Sequence, residues 1–437
     1  MIMSCSRHWI LDLSYRSLLP YACMLISIVL ALTGCGGGGG SDESSIDPEP
    51  ERKWTYMVYM AADNNLSIYA DLDINEMEIV GSGDDVNIVV QVEFSPIYNE
   101  DLAGHTLRGK ITRDTDWDVI NSDLADIGSQ NMVDPQTLAA FIAWAAHYYP
   151  AQRYALVVWS HSDGWKGPAS SLLPKGVISD SSNDPGKLMS IQDVAGAVRS
   201  SGVDLDLINF DACLMGMYEV AYEFGGLADY LVFSEELYPS FGDAYDDILE
   251  ELAADPDMNG FDLARVITSQ CIGFYQYISE MFEYDLAVTK SAIDMSYIEE
   301  LHNGLCSLAG IMIDTMDTEG SNIQTARDDS LSYDYPENHD LGDFLVMMDE
   351  NTANTELKAA IQQVQDTMSD LVISNEVYSS VPGDEILRSQ GIAMYLPAGS
   401  QVYDDDLSVY SELACNLTLY PTWGDLVAEL VEYELSP

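Results

Sequence analysis

Two short segments carry the residues best suited to chemistry. Val157-Val158-Trp159-Ser160-His161-Ser162-Asp163-Gly164-Trp165 and Leu207-Ile208-Asn209-Phe210-Asp211-Ala212-Cys213-Leu214-Met215-Gly216 each run from an apolar stretch into a polar, reactive residue. A thiol becomes a nucleophile when a neighbour takes its proton and stabilises the thiolate. Imidazole does this near neutral pH. If both runs are adjacent parallel strands, His161 and Cys213 leave the sheet at one edge, within reach of each other and of a carbonyl carbon. The pattern alone leaves the plain alternative open. A cysteine after an apolar strand is commonly a small buried hydrophobe, and a single histidine is commonly structural. Competing templates are missing from the sequence: there is no Gly-x-Ser-x-Gly elbow, no His-Glu-x-x-His and no Gly-x-x-x-x-Gly-Lys-Ser/Thr.

The surrounding elements must position these residues. Tyr56–Ala62 is a short apolar run suited to a strand buried on both faces. Asp63-Asn64-Asn65 ends it, and Leu66, Ala70, Ile74 and Met77 then recur at helical spacing up to Gly81. Asn87–Phe94, Tyr154–Trp159, Leu205–Phe210 and Tyr230–Phe233 read as further strands, and Leu102–Thr112 as a hairpin. Helices are expected from Asp134-Pro135 to about Tyr149, from Ile191 to Ser200, and from Leu214 to Phe224. Alternating strands and helices argue an α/β fold, with a mainly parallel sheet of about six strands and helices on both faces. Chemistry in such sheets gathers at the carboxyl ends of the strands. Residues 244–380 read as largely helical, and Gly391–Pro397 as a late strand returning to the same sheet.

The chain has 437 residues with 17 Lys+Arg against 73 Asp+Glu, a formal net charge of −56. Such charge excludes nucleic acid as a partner, because phosphates are repelled. It also excludes adhesion to anionic lipid by charge alone. A basic partner is electrostatically welcome, although acidity also serves simply to keep an exported protein soluble. Arg7 and Arg16 precede an apolar run, Leu18–Leu32, that is followed by Thr33-Gly34-Cys35. This is the pattern of an export signal over residues 1–34. Leu-Thr-Gly-Cys resembles a bacterial lipobox, in which Cys35 takes the lipid and becomes the mature N-terminus. The plainer reading is an ordinary signal with a chance cysteine. Residues 35–53, Gly-rich and acidic, read as a flexible tether, and 54–437 as the folded domain. Of seven cysteines, four lie beyond Cys35: Cys213, Cys271, Cys306 and Cys415. Without a Cys-x-x-Cys pair a structural zinc site has no support. One nucleophile among the four leaves room for one disulfide.

Several blocks together resemble the clostripain-like cysteine peptidases, relatives of the caspases and gingipains. Tyr56–Leu66 is similar to the family's opening strand and turn, and His161-Ser162-Asp163-Gly164-Trp165 to its His-Gly-x-Gly-Trp motif. Asp211-Ala212-Cys213-Leu214-Met215 with Glu219-Val220 resembles its cysteine motif. Ser234-Glu235-Glu236, Asp340–Phe344 and Gly391–Pro397 resemble later blocks, so the likeness runs from about 54 to about 428. The resemblance implies a caspase-like three-layer sandwich, a Cys213/His161 dyad with an acyl-enzyme, and cleavage of peptides after basic residues. It places the oxyanion donors at the N–H groups of Ser162 and Cys213. Asp211 stands where the family's Arg/Lys-selecting carboxylate is found, with Asp243 as a second candidate. A helix-capping role for Asp211 is the structural alternative. Ser162 departs from the family's glycine, and would be strained if that position needs a positive φ. This departure is the sole sequence support for the rival reading, an inactive surface lipoprotein that keeps the fold for binding. No cofactor is implied. Calcium is used by some relatives and Asp404-Asp405-Asp406 could bind it, although the spacing matches no EF-hand loop and a solvated turn is the plainer reading. Self-cleavage in relatives directs attention to Lys175, with Lys166 and Lys187, in the segment Gly167–Leu188 between the two catalytic blocks.

Overall fold

An eleven-residue strand, β1 (Arg52–Ala62), runs through the middle of the molecule and is buried from Trp54 onward. Such burial on both faces is why its sequence is continuously apolar rather than alternating. The computed structural model describes residues 48–435 except 97–103, 167–177, 180–187 and 419. The expected signal, Cys35, most of the tether, Lys175 and Lys187 therefore lie outside the described residues. Residues 48–53, read from composition as the end of a tether, belong instead to the described fold. Glu49 donates its N–H to Tyr148 O and pairs with Lys110 and Arg52, and β1 begins two residues before Trp54.

In chain order β1 is followed by α1 (Ser67–Val80), β2 (Val86–Phe94), β3 (Thr106–Lys110), β4 (Ala125–Asp126), α2 (Pro135–Tyr148), β5 (Ala151–Trp159), β6 (Ile178–Ser179), β7 (Leu188–Met189), α3 (Ile191–Ser201) and β8 (Leu205–Asp211). The chain continues through α4 (Tyr218–Glu223), β9 (Ala228–Phe233), α5 (Tyr245–Ala254), α6 (Gly260–Phe282), β10 (Ala287–Asp294), α7 (Ile298–Asp314) and α8 (Met316–Asp329). It ends with β11 (Asn338–Asp340), α9 (Leu341–Asn351), α10 (Thr355–Leu371), β12 (Val372–Ser379), β13 (Ala393–Tyr395), α11 (Ser400–Tyr410) and α12 (Trp423–Leu435).

The central sheet has nine strands in the order β12-β10-β9-β8-β5-β1-β2-β3-β4. The five from β9 to β2 are parallel, and the outer pairs at each edge are antiparallel. Alternate residues of β1 enter different cores. Met57, Tyr59 and Ala61 pack with α2, α3 and the C-terminal helices. Trp54, Tyr56, Val58 and Met60 pack with α1, α5 and α6. The result is the expected three-layer α/β sandwich. Local signals set several helix ends. Asp134 caps α2 ahead of Pro135, and Ser190 with Asp193 forms a capping box on α3, which Gly202 ends in the left-handed conformation.

Four expectations are corrected. The sheet has nine strands, because β10 and β12 lie within the stretch read as helical and β3 and β4 extend the opposite edge. Thr289, Lys290 and Ser291 interrupt β10 with polar residues, and β12 is a half-buried edge, so neither shows an apolar run. Of the stretch 102–112, the described residues 104–112 supply one strand, β3, pairing antiparallel with β2, rather than a hairpin of their own. The helix after Cys213 begins at Tyr218, not Leu214. Ala393–Tyr395 pairs with β11 in a separate two-stranded sheet and meets the cysteine loop through a bridge at Met217, where the Ala393 N–H donates to Gly216 O.

Candidate active site

Strand register brings the two reactive residues together. β5 and β8 are parallel neighbours with Trp159 opposite Asp211. His161 and Cys213 each come two residues later, so both leave the sheet at one level of its carboxyl edge. A cavity of ≈ 180 Å³ opens there, and His161, Cys213 and Asp211 all line it, together with Trp159, Tyr238 and Gly242.

The imidazole of His161 is partly exposed and its Nε2 lies 2.7 Å from Asn65 Oδ1. With the Asn65 amide oxygen facing the ring as acceptor, the proton is assigned to Nε2 and Nδ1 is left as the basic nitrogen. Burial holds the imidazole pKa below its ordinary value. The Cys213 sulfur lies 3.2 Å from the Tyr238 N–H and 3.6 Å from the Tyr238 carbonyl oxygen. Its pKa is pushed up to about 11, chiefly by burial, with the Tyr238 N–H pulling it down and Asp163, Asp211 and Glu236 adding to the rise. The resting pair is therefore a thiol and a neutral imidazole, each held by its own partner rather than by the other.

The cysteine turn is held in an uncommon shape. Leu214 has φ of 59°, a left-handed conformation that costs a residue with Cβ about 1–2 kcal/mol. Its N–H donates to Glu236 O and the Gly216 N–H to Ser234 O, tying the turn to the segment after β9. Gly164 packs against it from the histidine loop. A Cβ there would sit 2.7 Å from Leu214 O, and φ is 67°, so only glycine fits. Ser162 is not among the positive-φ residues, which overturns the strain argument for that position. Its Oγ lies 2.8 Å from Met215 Sδ and accepts from the Gly164 N–H. Neither the Ser162 nor the Cys213 backbone N–H finds an acceptor among the described residues.

A group of buried carboxylates lies under the cavity. Asp211 accepts from the Asp243 N–H and the Tyr245 hydroxyl and caps no helix, which removes the capping explanation. Its pKa is raised to about 7 by burial and by Asp243, with Lys290 opposing. Gly242 makes room for it, since a Cβ there would lie 2.8 Å from Asp211 Oδ2 and 3.2 Å from Asp73 Oδ2. Asp243, expected beside Asp211 on the pocket wall, sits behind it. It is fully buried and pairs at 2.8 Å with the equally buried Lys290, and it accepts from Tyr238 and Asn209. Lys166 is also buried, paired with Glu337 and with Asp406 at 2.9 Å, so it is no exposed cleavage site. Asp404-Asp405-Asp406 lies on α11 rather than in a solvated turn, and Asp406 accepts from Tyr395 as well. Among the described residues no three metal-ligating side chains gather. The four described cysteines are free thiols.

The sequence profile of the clostripain family, peptidase family C11, matches residues 58–426. The chain belongs to the clostripain family. It is 31% identical over 248 residues to clostripain of Hathewaya histolytica, a stretch covering 50% of this chain and 46% of that protein. The chain thus spans about half the length of the curated relative it matches. A secreted C11 cysteine protease from Bacteroides thetaiotaomicron, solved with an irreversible peptide inhibitor, superimposes with a TM-score of 0.61 at 23% identity, covering 86% of this chain and 98% of that one. An inactive zymogen C11 protease from Parabacteroides distasonis gives 0.61 at 21% identity, covering 84% and 98%. These likenesses establish the caspase-like clostripain fold. Within it, sequence reasoning missed Asn65, Tyr238, Asp73 and Lys290. Asn65 stood in the polar turn after β1 and was read only as a strand terminator. Lys290 carried a signal that went unused: a lone lysine flanked by apolar and small residues, which in a strand must be paired.

Proposed function

We propose that this clostripain-family chain is a cysteine endopeptidase cleaving after Arg or Lys. Cys213 is the nucleophile, His161 its general base, the N–H groups of Ser162 and Cys213 the oxyanion donors, and Asp211 the carboxylate selecting the basic side chain. The observation that carries this reading is one cavity lined at once by thiol, imidazole and carboxylate. His161 Nδ1 takes the thiol proton as sulfur bonds to the scissile carbonyl carbon, and the carbonyl oxygen becomes the oxyanion. The carbon–nitrogen bond then breaks and the imidazolium returns the proton to the departing amine. Water, deprotonated by His161, releases the acid product and restores the thiol. Asn65 fixes the tautomer that makes this sequence work. Guanidinium suits a carboxylate floor because it can bond bidentately, which favours Arg over Lys.

Asp243 belongs to the proposed pocket indirectly. With its charge met by Lys290, it supports Asp211 rather than contacting the substrate. The chemistry needs no cofactor. We also propose export with a lipid anchor at Cys35, Gly36 in the next position favouring the outer membrane where the host has one. Self-cleavage after Lys175 belongs to the same proposal. Among the described residues no helix is long and apolar enough to cross a membrane.

The rival reading, a binding protein on an inactive fold, draws on the absence of a direct Cys213–His161 hydrogen bond and on the raised thiol pKa. Incubating residues 52–437 with an irreversible, thiol-reactive peptide bearing Arg next to the reactive carbon decides between them. A single adduct on Cys213, with turnover of matched Arg and Lys amides, supports the peptidase. Unmodified Cys213 and no turnover would establish the rival.

A further inference from the structure

A second cavity, ≈ 460 Å³, adjoins the catalytic one and shares Leu237 as a wall. Its floor is apolar, with Leu331, Ile386 and Ala287, and its rim carries Glu236, Asp384 and Glu385. No lining residue is cationic. The nearest arginine in sequence, Arg388, directs its charge elsewhere, to Asp343 at 3.3 Å and to Asp329 O. Burial, Asp334 and Asp384 raise the pKa of Glu236, the direction expected of a carboxylate whose neighbours repel it. Glu385 is exposed and makes no hydrogen bond or ion pair among the described residues. Between the two cavities the chain is neither helix nor strand, and the Glu236 N–H and Leu237 C=O find no partner among the described residues. A peptide lying along 236–238 meets these two open main-chain groups, with one cavity at Tyr238 and the other at Glu236.

We propose that this second cavity is a subsite for another basic residue of the same substrate, so that the enzyme prefers peptides carrying two basic residues near the scissile bond. The inference rests on the peptidase reading above and adds a selectivity to it. The chemistry of the cavity specifies the occupant. An apolar floor below an uncompensated acidic rim fits a side chain with an aliphatic stem and a cationic head, which is lysine or arginine. Continuity through Leu237 makes the occupant part of the chain already seated in the catalytic cavity.

The test uses fluorogenic peptides with Arg at the cleavage position and Lys, norleucine or Asn placed in turn at each neighbouring position. Norleucine keeps the stem and removes the charge. At one position Lys should exceed norleucine in kcat/KM by about fivefold, the scale of a few half-exposed ion pairs, and norleucine should exceed Asn. The Lys advantage should shrink as salt rises through 0.5 M, where screening is strong. Asp384 Oδ1 accepts from the Ile386 N–H at the start of a short 3-10 turn, Glu385–Arg388, and the Asp384→Asn/Glu385→Gln double variant keeps that acceptor while removing two charges. It should reduce the Lys advantage to under twofold while leaving the single-Arg peptide unaffected. Lys and norleucine equal at every position, or a Lys advantage unchanged in the double variant, would overturn the subsite and leave the peptidase standing. No cleavage of any Arg peptide would overturn both.

Discussion

The two strand ends that meet at the candidate site are built in opposite ways. At the end of β5, His161 is partly exposed and holds one hydrogen bond, to Asn65, while the loop it opens is anchored further on by buried Trp165 and by Lys166 paired with Asp406. At the end of β8, Cys213 sits in a turn forced through a left-handed leucine and tied to 234–236. Four buried acids and Lys290 lie behind it: Asp73, Glu76, Asp211 and Asp243. A base must accept and return a proton while substrate passes, which a singly tethered, partly solvated ring can do. A nucleophile and its specificity pocket must instead keep fixed geometry, and that requires many constraints held by distant parts of the chain.

The largest test of this contrast removes each end in turn. Cys213→Ala should lower kcat on the order of 10⁴-fold or more with the fold intact by circular dichroism. His161→Ala should come close to it, and the double variant should be no worse than either, since the pair acts as a unit. Asn65→Ala should cost about tenfold, because the ring keeps its base but loses its orientation. Asn65→Asp should move the acid limb of kcat/KM upward, an effect that a purely structural asparagine would not show.

The β8 end should instead respond in stability and selectivity. Lys290→Met leaves Asp243 buried without its cation and should cost about 3–5 kcal/mol in urea unfolding. Asp243→Asn on that background should recover most of it. Asp211→Asn should reduce the preference for Arg over an uncharged side chain at the cleavage position by about 30-fold or more, as expected for one lost member of a buried charge pair. Equal losses on both substrates would mean that Asp211 serves the fold rather than the pocket.

Titration separates the ends as well. The acid limb of kcat/KM should fall below the ordinary imidazole range, because the His161 pKa is lowered and the base is lost only as pH drops through it. Preference for a basic side chain should rise as pH passes about 7, where Asp211 ionises. Stability should run the other way. Asp211 and Glu219 titrate near 7 in the fold and Asp340 near 6, above their unfolded values of about 4. Their contribution is complete below about pH 4 and is lost as pH climbs through 6–7. The melting temperature should therefore be higher at pH 5 than at pH 8 as far as these groups govern it.

The smallest effects are expected in the histidine loop. Ser162→Gly relieves no positive-φ strain and removes the Oγ contacts to Met215 and Gly164. It should cost about 1 kcal/mol of stability and change turnover by less than about threefold. In the segment beyond, a fraction of active protein should be cut after Lys175 while Cys213→Ala stays whole, as read by intact mass. Equal cutting of both would assign the cut to another protease.

The proposed catalytic pair, His161 and Cys213, could be picked out because each residue follows an apolar run, and both runs are strands buried on two faces. β10 was not legible as a strand, because it carries its polar residues inward to partners that come from elsewhere. Lys290 meets Asp243 across 47 residues. Asn65 was read only as the end of a strand because its partner, His161, lies 96 residues away.

Residue types alone determined the alternation of strands and helices, the acidity, and the presence of a thiol and an imidazole at strand ends, since each depends on composition or short-range periodicity. Tertiary structure alone decided that Trp159 faces Asp211, that Asp243 is spent on Lys290, and that Ser162 needs no glycine. Register, burial and backbone angle at a turn follow from contacts between distant segments, which local patterns of polarity do not encode.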